Sequence, residues 1–360
     1  MTAIHVRTPA LTIRAGARAM RRLRDNPLSA GDVHVIPGAA GGPKALGLSG
    51  LDKILFGHWL PSAPQPRALV GSSIGSWRFA AVASSDDPAA QLELLAELYT
   101  QQRFTKGISA AEVTRKSLEF LQQLLGGREQ HILNHPQYRL SVMVVRSLGL
   151  LRHDSRGRLT LGLLHAIASN VLGRRHLGRV MERCIVQDAR TPAPLEELRD
   201  FASHTIALNQ DNLLPALLAS ASIPMVMSGV ANIPGAPAGP YRDGGLLDYH
   251  LDLPYQQPGV VLYPHFTDRI IPGWFDKSLP WRKPDASHVQ DLLLLAPSAD
   301  YLASLPNGKL PDRRDFGKYL GDDAGREKVW RRAIAESERL GNEFMERVER
   351  QQWDSVMQPL

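Results

Sequence analysis

The chain has 360 residues, of which 43% are hydrophobic and 22% charged, with a net charge of +6 and a pI of about 9.5. Those proportions are ordinary for a soluble globular protein and leave room for one large α/β domain with an extension, or for two modest domains. The basic excess is too diffuse for nucleic-acid binding, the single cysteine (Cys184) excludes an intrachain disulfide or thiolate metal cluster, and no apolar run has the length of a transmembrane helix.

Arg7, Arg14, Arg18, Arg21, Arg22 and Arg24 all precede the first acid, Asp25. Residues 1–31 therefore read as a basic arm lying on the domain or on a lipid surface. An organelle transit peptide is the other reading, and Pro9 and the scarcity of serine count against it. Residues 32–36 read as a first strand, followed by the glycine-rich loop 37–47 and an amphipathic segment over 51–60. The loop fits neither the P-loop nor the dinucleotide spacing, but bare glycine amides at a helix start make an anion cradle.

Next comes Arg67-Ala68-Leu69-Val70-Gly71-Ser72-Ser73-Ile74-Gly75-Ser76-Trp77. A short apolar run ends in a Gly-x-Ser-x-Gly turn and a helical pattern follows at once, which is the form of a nucleophile elbow. Ser73 stands at the turn, and Gly71 and Gly75 flank it where a Cβ would clash with the neighbouring strand or helix. The helix that starts here points its N-terminal amides and positive dipole end at the serine. Taken alone, the same pattern also fits a plain strand-to-helix turn.

Asp87-Pro88 caps a helix running to about 104, and Ser109 with Glu112 opens a second that stops at Gly126-Gly127. Residues 140–145 are apolar on both faces, as a covered parallel strand is. A helical stretch spans about 159–181. Its most apolar part, 159–172, carries His165, Ser169 and Asn170 and reads as a buried core helix. Short strands follow near 184–186 and 205–208, then a helix over 213–221. A Pro/Gly-rich loop over 233–240 delivers the chain to Tyr241-Arg242-Asp243-Gly244-Gly245. Two further apolar strands, 260–263 and 292–295, complete the sheet. From 324 to about 352 one helix is expected, with an apolar stripe through Trp330, Ala333, Ile334, Leu340, Phe344 and Val348 that either packs on the domain or forms an oligomer contact.

A glycine-rich loop, an elbow serine and an aspartate before two glycines fit one chemistry. Ester hydrolysis by serine needs a base for the hydroxyl proton and amides for the oxyanion. In this order the residues resemble the patatin-like phospholipases, whose loop reads Gly-Gly-Gly-x-Lys/Arg-Gly and whose base sits in Asp-Gly-Gly or Asp-Gly-Ala. Ala219-Ser220-Ala221-Ser222-Ile223-Pro224 is similar to the family's Ala-Ser-x-x-Ile-Pro run, and the likeness covers roughly 32–256. Ala40 and Ala45 stand where the family has the first and last loop glycines, and Pro43 has no N–H to donate.

The resemblance implies an α/β fold: a three-layer α/β/α domain over 32–256 with a mainly parallel central sheet. Residues 257–360 form a C-terminal extension that completes the sheet and ends in the amphipathic helix. It also implies a lipid acyl hydrolase acting on phospholipids or other acyl lipids, with Ser73 as nucleophile and Asp243 as base. Gly41 and Gly42 would supply the oxyanion amides, and Lys44, Gly71, Gly75 and Gly244 would support the site. No cofactor or metal is expected. His250, His265 and His288 follow Asp243, so a Ser-Asp-His triad is the alternative enzyme. A non-catalytic lipid-binding protein on the same fold is the alternative outside enzymes.

The partner expected is a lipid, for an enzyme of the cytoplasm with peripheral contact at the membrane; the oligomeric state is open. In residues 271–284, Trp274, Phe275, Leu279 and Trp281 alternate with Lys277, Arg282 and Lys283. That loop either rests at a headgroup boundary or caps the domain core.

Overall fold

A computed structural model describes residues 8–190, 194–195 and 198–360. Among the described residues, ten strands form one sheet: β1 (Leu11–Ala15), β2 (Val33–Gly38), β3 (Arg67–Ser72), β4 (Tyr138–Ser147), β5 (Met181–Gln187), β6 (Ser203–Ala207), β7 (Tyr241–Asp243), β8 (Val260–Pro264), β9 (Leu292–Pro297) and β10 (Met357–Pro359). Their order is β10-β1-β9-β8-β2-β3-β4-β5-β6, with β7 paired to β4 off this path. The central run from β9 to β4 is parallel throughout, while β1–β9, β4–β5 and β4–β7 are antiparallel. The fold is thus a mainly parallel sheet flanked by helices, a three-layer α/β/α architecture.

Strands β3, β8 and β9 are buried at every residue, which is why β8, β9 and the Ala68–Val70 stretch of β3 read as apolar runs. The helix Ile74–Ala83, entered straight from β3, is buried along its whole length. It lies so close to the sheet that a Cβ on Gly75 would overlap the Gly38 carbonyl oxygen, and one on Gly71 would overlap the Ser76 backbone.

The N-terminal stretch does more than lie against the domain. Leu11–Ala15 is a strand with alternating burial, and Ala17–Asp25 is a helix. Three of the arginines pair with acids of the fold: Arg18 with Asp291 at 2.6 Å, Arg22 with Asp32 at 2.5 Å and Arg24 with Asp354 at 2.5 Å. Arg7 lies outside the described residues. At the other end, the single expected helix is two, Asp323–Glu336 and Glu338–Arg350. The break falls at buried Ser337, whose Oγ accepts the Gly50 N–H at 2.8 Å. Trp330, Ala333, Leu340 and Phe344 are all buried, so the stripe packs on the domain.

The helix expected over 159–181 also departs from the structure. It spans Arg156–Leu172 and stops at Gly173, and it is not a core helix, because most of its large apolar side chains face outwards.

Candidate active site

Strand register brings Ser73 and Asp243 together. On the β3 side of β4, Ser72 pairs with Met143, and the next β4 residue, Val144, pairs with Asp243 of β7. β3 ends because the chain turns into the elbow, and β7 takes the vacated edge of β4 just beyond it. Two residues 170 positions apart in sequence therefore meet, and the Ser73 hydroxyl donates to Asp243 Oδ2 at 2.8 Å. A Cβ on Gly244 would overlap the Met143 carbonyl oxygen, so glycine there is what lets the chain turn away from β4.

Ser73 has φ 56° and ψ −127°, a conformation that L side chains rarely adopt. Several bonds hold it. Its N–H donates to Ser220 Oγ at 2.9 Å, and Ser220 in turn donates to the Met143 carbonyl at 2.7 Å. Its carbonyl accepts from the Ser76 hydroxyl at 2.6 Å and the Ser76 N–H at 3.0 Å. Asp243 is fixed in the same way: Oδ1 accepts the Gly245 N–H at 2.8 Å, and its own N–H donates to the Ser222 carbonyl at 3.1 Å. Burial raises the Asp243 carboxyl above its ordinary value, opposed by Arg313, the Ser73 hydroxyl, the Gly245 amide and Lys277.

Two clefts open on Ser73. The larger, about 620 Å³, is lined by Gly41, Lys44, Asp243, Tyr249, Lys277 and Arg313 among others. The second, about 360 Å³, is apolar, with Ile74, Trp77, Phe104, Ile108, Met227 and Phe316 in its wall. Gly42 lines this second cleft and sits at φ +58°, in the left-handed region that favours glycine. Gly41 packs flat on the Phe266 ring, whose Cε1 a Cβ would meet at 2.5 Å. Ala40 and Ala45 are buried, and Ala40 closes against Gly245, so a methyl group is accommodated at both of these loop positions.

The larger cleft is cationic. Lys44 lies with its ammonium 4.8 Å from the Phe266 ring centroid, and burial lowers its pKa. Lys277 is exposed as a whole, but its ammonium sits 3.9 Å from the Tyr249 ring centroid. Burial in the cleft, with Lys44 and Arg313 nearby, brings it down to about 7.

The three histidines lie elsewhere. His250 Nδ1 accepts the Ile271 N–H at 3.1 Å, His265 Nδ1 the Thr267 N–H at 3.0 Å, and His288 Nδ1 is 3.1 Å from Asp252 Oδ1. Burial holds His250 well below its usual range and His265 down at about 3, so both rings are neutral.

The family model of the patatin-like phospholipases matches residues 54–250, more than half of the chain, and that span holds both Ser73 and Asp243. The chain belongs to the patatin-like phospholipase family. No curated protein matches it. Lipid acyl hydrolysis is the general activity that membership carries. Among the described residues, no helix is long and apolar enough to cross a membrane.

Part of this patatin-like site comes from outside the matched span. Gly41, Gly42 and Lys44 precede it, and Lys277, Asp312, Arg313 and Arg314 follow it. Sequence reasoning missed Arg313, because Asp312-Arg313-Arg314-Asp315 looks like any mixed-charge surface loop. It also missed Ser220 as the acceptor of the Ser73 N–H. Of the aromatic loop, Phe275 and Leu279 are buried, which corrects Phe275 as a lipid contact, while Trp274 and Trp281 are exposed.

Proposed function

We propose that this patatin-like protein hydrolyses carboxylic esters of acyl lipids through a Ser73 acyl-enzyme, with Asp243 as base. The observation that carries the reading is the 2.8 Å hydrogen bond from Ser73 Oγ to Asp243 Oδ2, at the junction of a cationic and an apolar cleft.

Ser73 Oγ attacks the ester carbonyl carbon while Asp243 takes the hydroxyl proton. The carbonyl oxygen becomes an oxyanion, stabilised by the Gly41 and Gly42 amides and the start of the helix Ile74–Ala83. The tetrahedral intermediate collapses, the C–O bond to the leaving alcohol breaks, and Asp243 returns the proton to that oxygen. Asp243 then deprotonates a water, which attacks the acyl carbon; the C–O bond to Ser73 breaks, the fatty acid leaves, and Asp243 returns the proton to Ser73 Oγ. A carboxylate is a weak base toward serine, so the oxyanion donors supply much of the barrier lowering, about 3–4 kcal/mol per good donor. The apolar cleft suits the acyl chain. Lys44, Lys277 and Arg313 suit an anionic headgroup at the other side of the ester.

A fluorophosphonate probe tests this directly. It is expected to label the wild type and not Ser73→Ala, with ester hydrolysis lost in parallel. Asp243→Asn is expected to lose about two to four orders of magnitude, since the amide cannot take the proton. Ser72, adjacent and fully buried, serves as the control position. Substantial hydrolysis by the Ser73→Ala protein would end the assignment.

A further inference from the structure

The helix Arg156–Leu172 is packed inside out. Its buried positions are Leu159, Gly162, Ala166, Ser169 and Asn170, so all but one are small or polar. Most of the large apolar side chains face solvent: Leu161 is 58% exposed, Leu164 56%, Ile167 44%, Val171 52% and Leu172 82%. A helix on a globular domain normally buries its apolar stripe, and a contiguous exposed one marks an interaction surface. The small inner residues bring the helix backbone close to the domain. A Cβ on Gly162 would meet the Leu151 backbone nitrogen at 3.0 Å. No Asp, Glu, Lys or Arg occurs between Arg158 and the end of the helix.

This face continues into the mouth of the cleft that holds Ser73. Leu163, on the same helix, lines that cleft with Met225 and Trp274. Met225 is 41% exposed, and its sulfur lies 4.0 Å from Thr160 Oγ1. Near the other end of the helix, the Asn170 side-chain amide donates to Asp276 at 2.7 Å, and the Asn170 backbone carbonyl accepts from Arg282 at 2.8 Å. Those bonds tie the helix to the loop carrying Trp274 and Trp281, which are 39% and 64% exposed.

The charge around the face selects its occupant. Arg152, Arg156 and Arg158 are exposed before the apolar stretch, and Arg175 and Arg179 after it. The acid among them, Asp154, is engaged by the Arg242 guanidinium at 2.5 Å. Leucine and tryptophan bordered at both ends by guanidinium groups match a lipid boundary with anionic headgroups, where apolar chains insert and basic residues stay at the surface. A second copy of this chain would set arginine against arginine.

We propose that the outer face of the helix Arg156–Leu172, with Trp274 and Trp281, docks the protein on an anionic lipid surface and turns the cleft mouth toward it. The proposal builds on the acyl-hydrolase reading by stating how the site meets an insoluble substrate.

The test is co-sedimentation with vesicles of phosphatidylglycerol and phosphatidylcholine, or of phosphatidylcholine alone, using wild type and the variant Leu161→Gln with Leu164→Gln and Leu172→Gln. All three side chains are exposed, so the melting temperature should stay near wild type. The bound fraction on anionic vesicles is expected to fall about tenfold, and hydrolysis of vesicle phospholipid with it, while soluble p-nitrophenyl butyrate turnover is unchanged. Arg152→Glu with Arg156→Glu and Arg158→Glu should abolish the preference for phosphatidylglycerol. Unchanged vesicle binding by the leucine variant overturns the proposal. So does a wild-type dimer in lipid-free solution that the same variant dissociates, since the face would then be an interface between copies. A wild type that sediments with vesicles yet hydrolyses no ester supports the docking and sinks the hydrolase reading instead.

Discussion

Asp243 and Lys277, two titrating groups in the cleft that holds Ser73, have opposite requirements. Asp243 must be ionised to accept a proton, and burial lifts its carboxyl above the 3.8 of an ordinary aspartate. kcat/KM should therefore rise with pH along an acid limb centred above that value, as base is formed. Lys277 loses its charge as pH passes about 7. KM for an anionic lipid ester should then climb above that pH, while KM for a neutral ester stays flat, and Lys277→Met should erase the difference. Parallel pH profiles on the two esters check this; an alkaline limb that persists in Lys277→Met belongs to another group. The same shift has a stability consequence of definite sign. Between about 7 and 10.5 the unfolded chain keeps a proton that folded Lys277 has released, so this group makes stability rise with pH across that window.

The elbow is a matter of backbone clearance. A non-glycine residue at φ 56°, ψ −127° costs about 1–3 kcal/mol, and it persists only because its surroundings over-determine it. Gly75 is part of that setting: its missing Cβ would overlap the Gly38 carbonyl, a backbone atom that cannot swing aside. Gly75→Ala is expected to destabilise by about 3 kcal/mol or to prevent folding. Gly157 offers the contrast. It lies in the helix Arg156–Leu172 with open space around the Cβ position, so Gly157→Ala should be stabilising, by up to about 1 kcal/mol. Urea denaturation of both variants checks the pair, and a mild effect of Gly75→Ala would mean that the elbow has more room than the strand–helix contact indicates.

Across the whole molecule, the C-terminal region helps to build the site. Trp330 is fully buried and donates through Nε1 to Asp315 Oδ2 at 2.9 Å. Asp315 also accepts from the Asp312 N–H at 3.0 Å and from Lys309 at 2.7 Å, which fixes the segment that carries Arg313 to the cleft. Trp330→Ala should cost about 3–5 kcal/mol through the cavity alone. Trp330→Phe keeps most of the volume and removes the indole donor. It should fold with a modestly lower melting temperature and show a reduced rate ratio of anionic to neutral ester. An unchanged ratio would separate Trp330 from the placement of Arg313.

Features set by local stereochemistry were legible in the sequence. The elbow needs small residues at fixed spacing around one serine, the turn after Asp243 needs Gly244, and β8 and β9 are buried on both faces and so uniformly apolar. The order of the motifs pointed to the family, and the match over 54–250 shows it. Tertiary structure alone decided what depends on long-range pairing. Ser73 reaches Asp243 because β3 and β7 share one edge of β4, a register that no local pattern records. β1 joins β10 across almost the full length of the chain, and a three-residue strand such as β10 carries too little periodicity to announce itself. The apolar content of the helix Arg156–Leu172 was plain, but composition cannot say which side of a helix meets protein. Only the packing of Gly162, Ala166 and Ser169 against the domain turned its leucines to the outside.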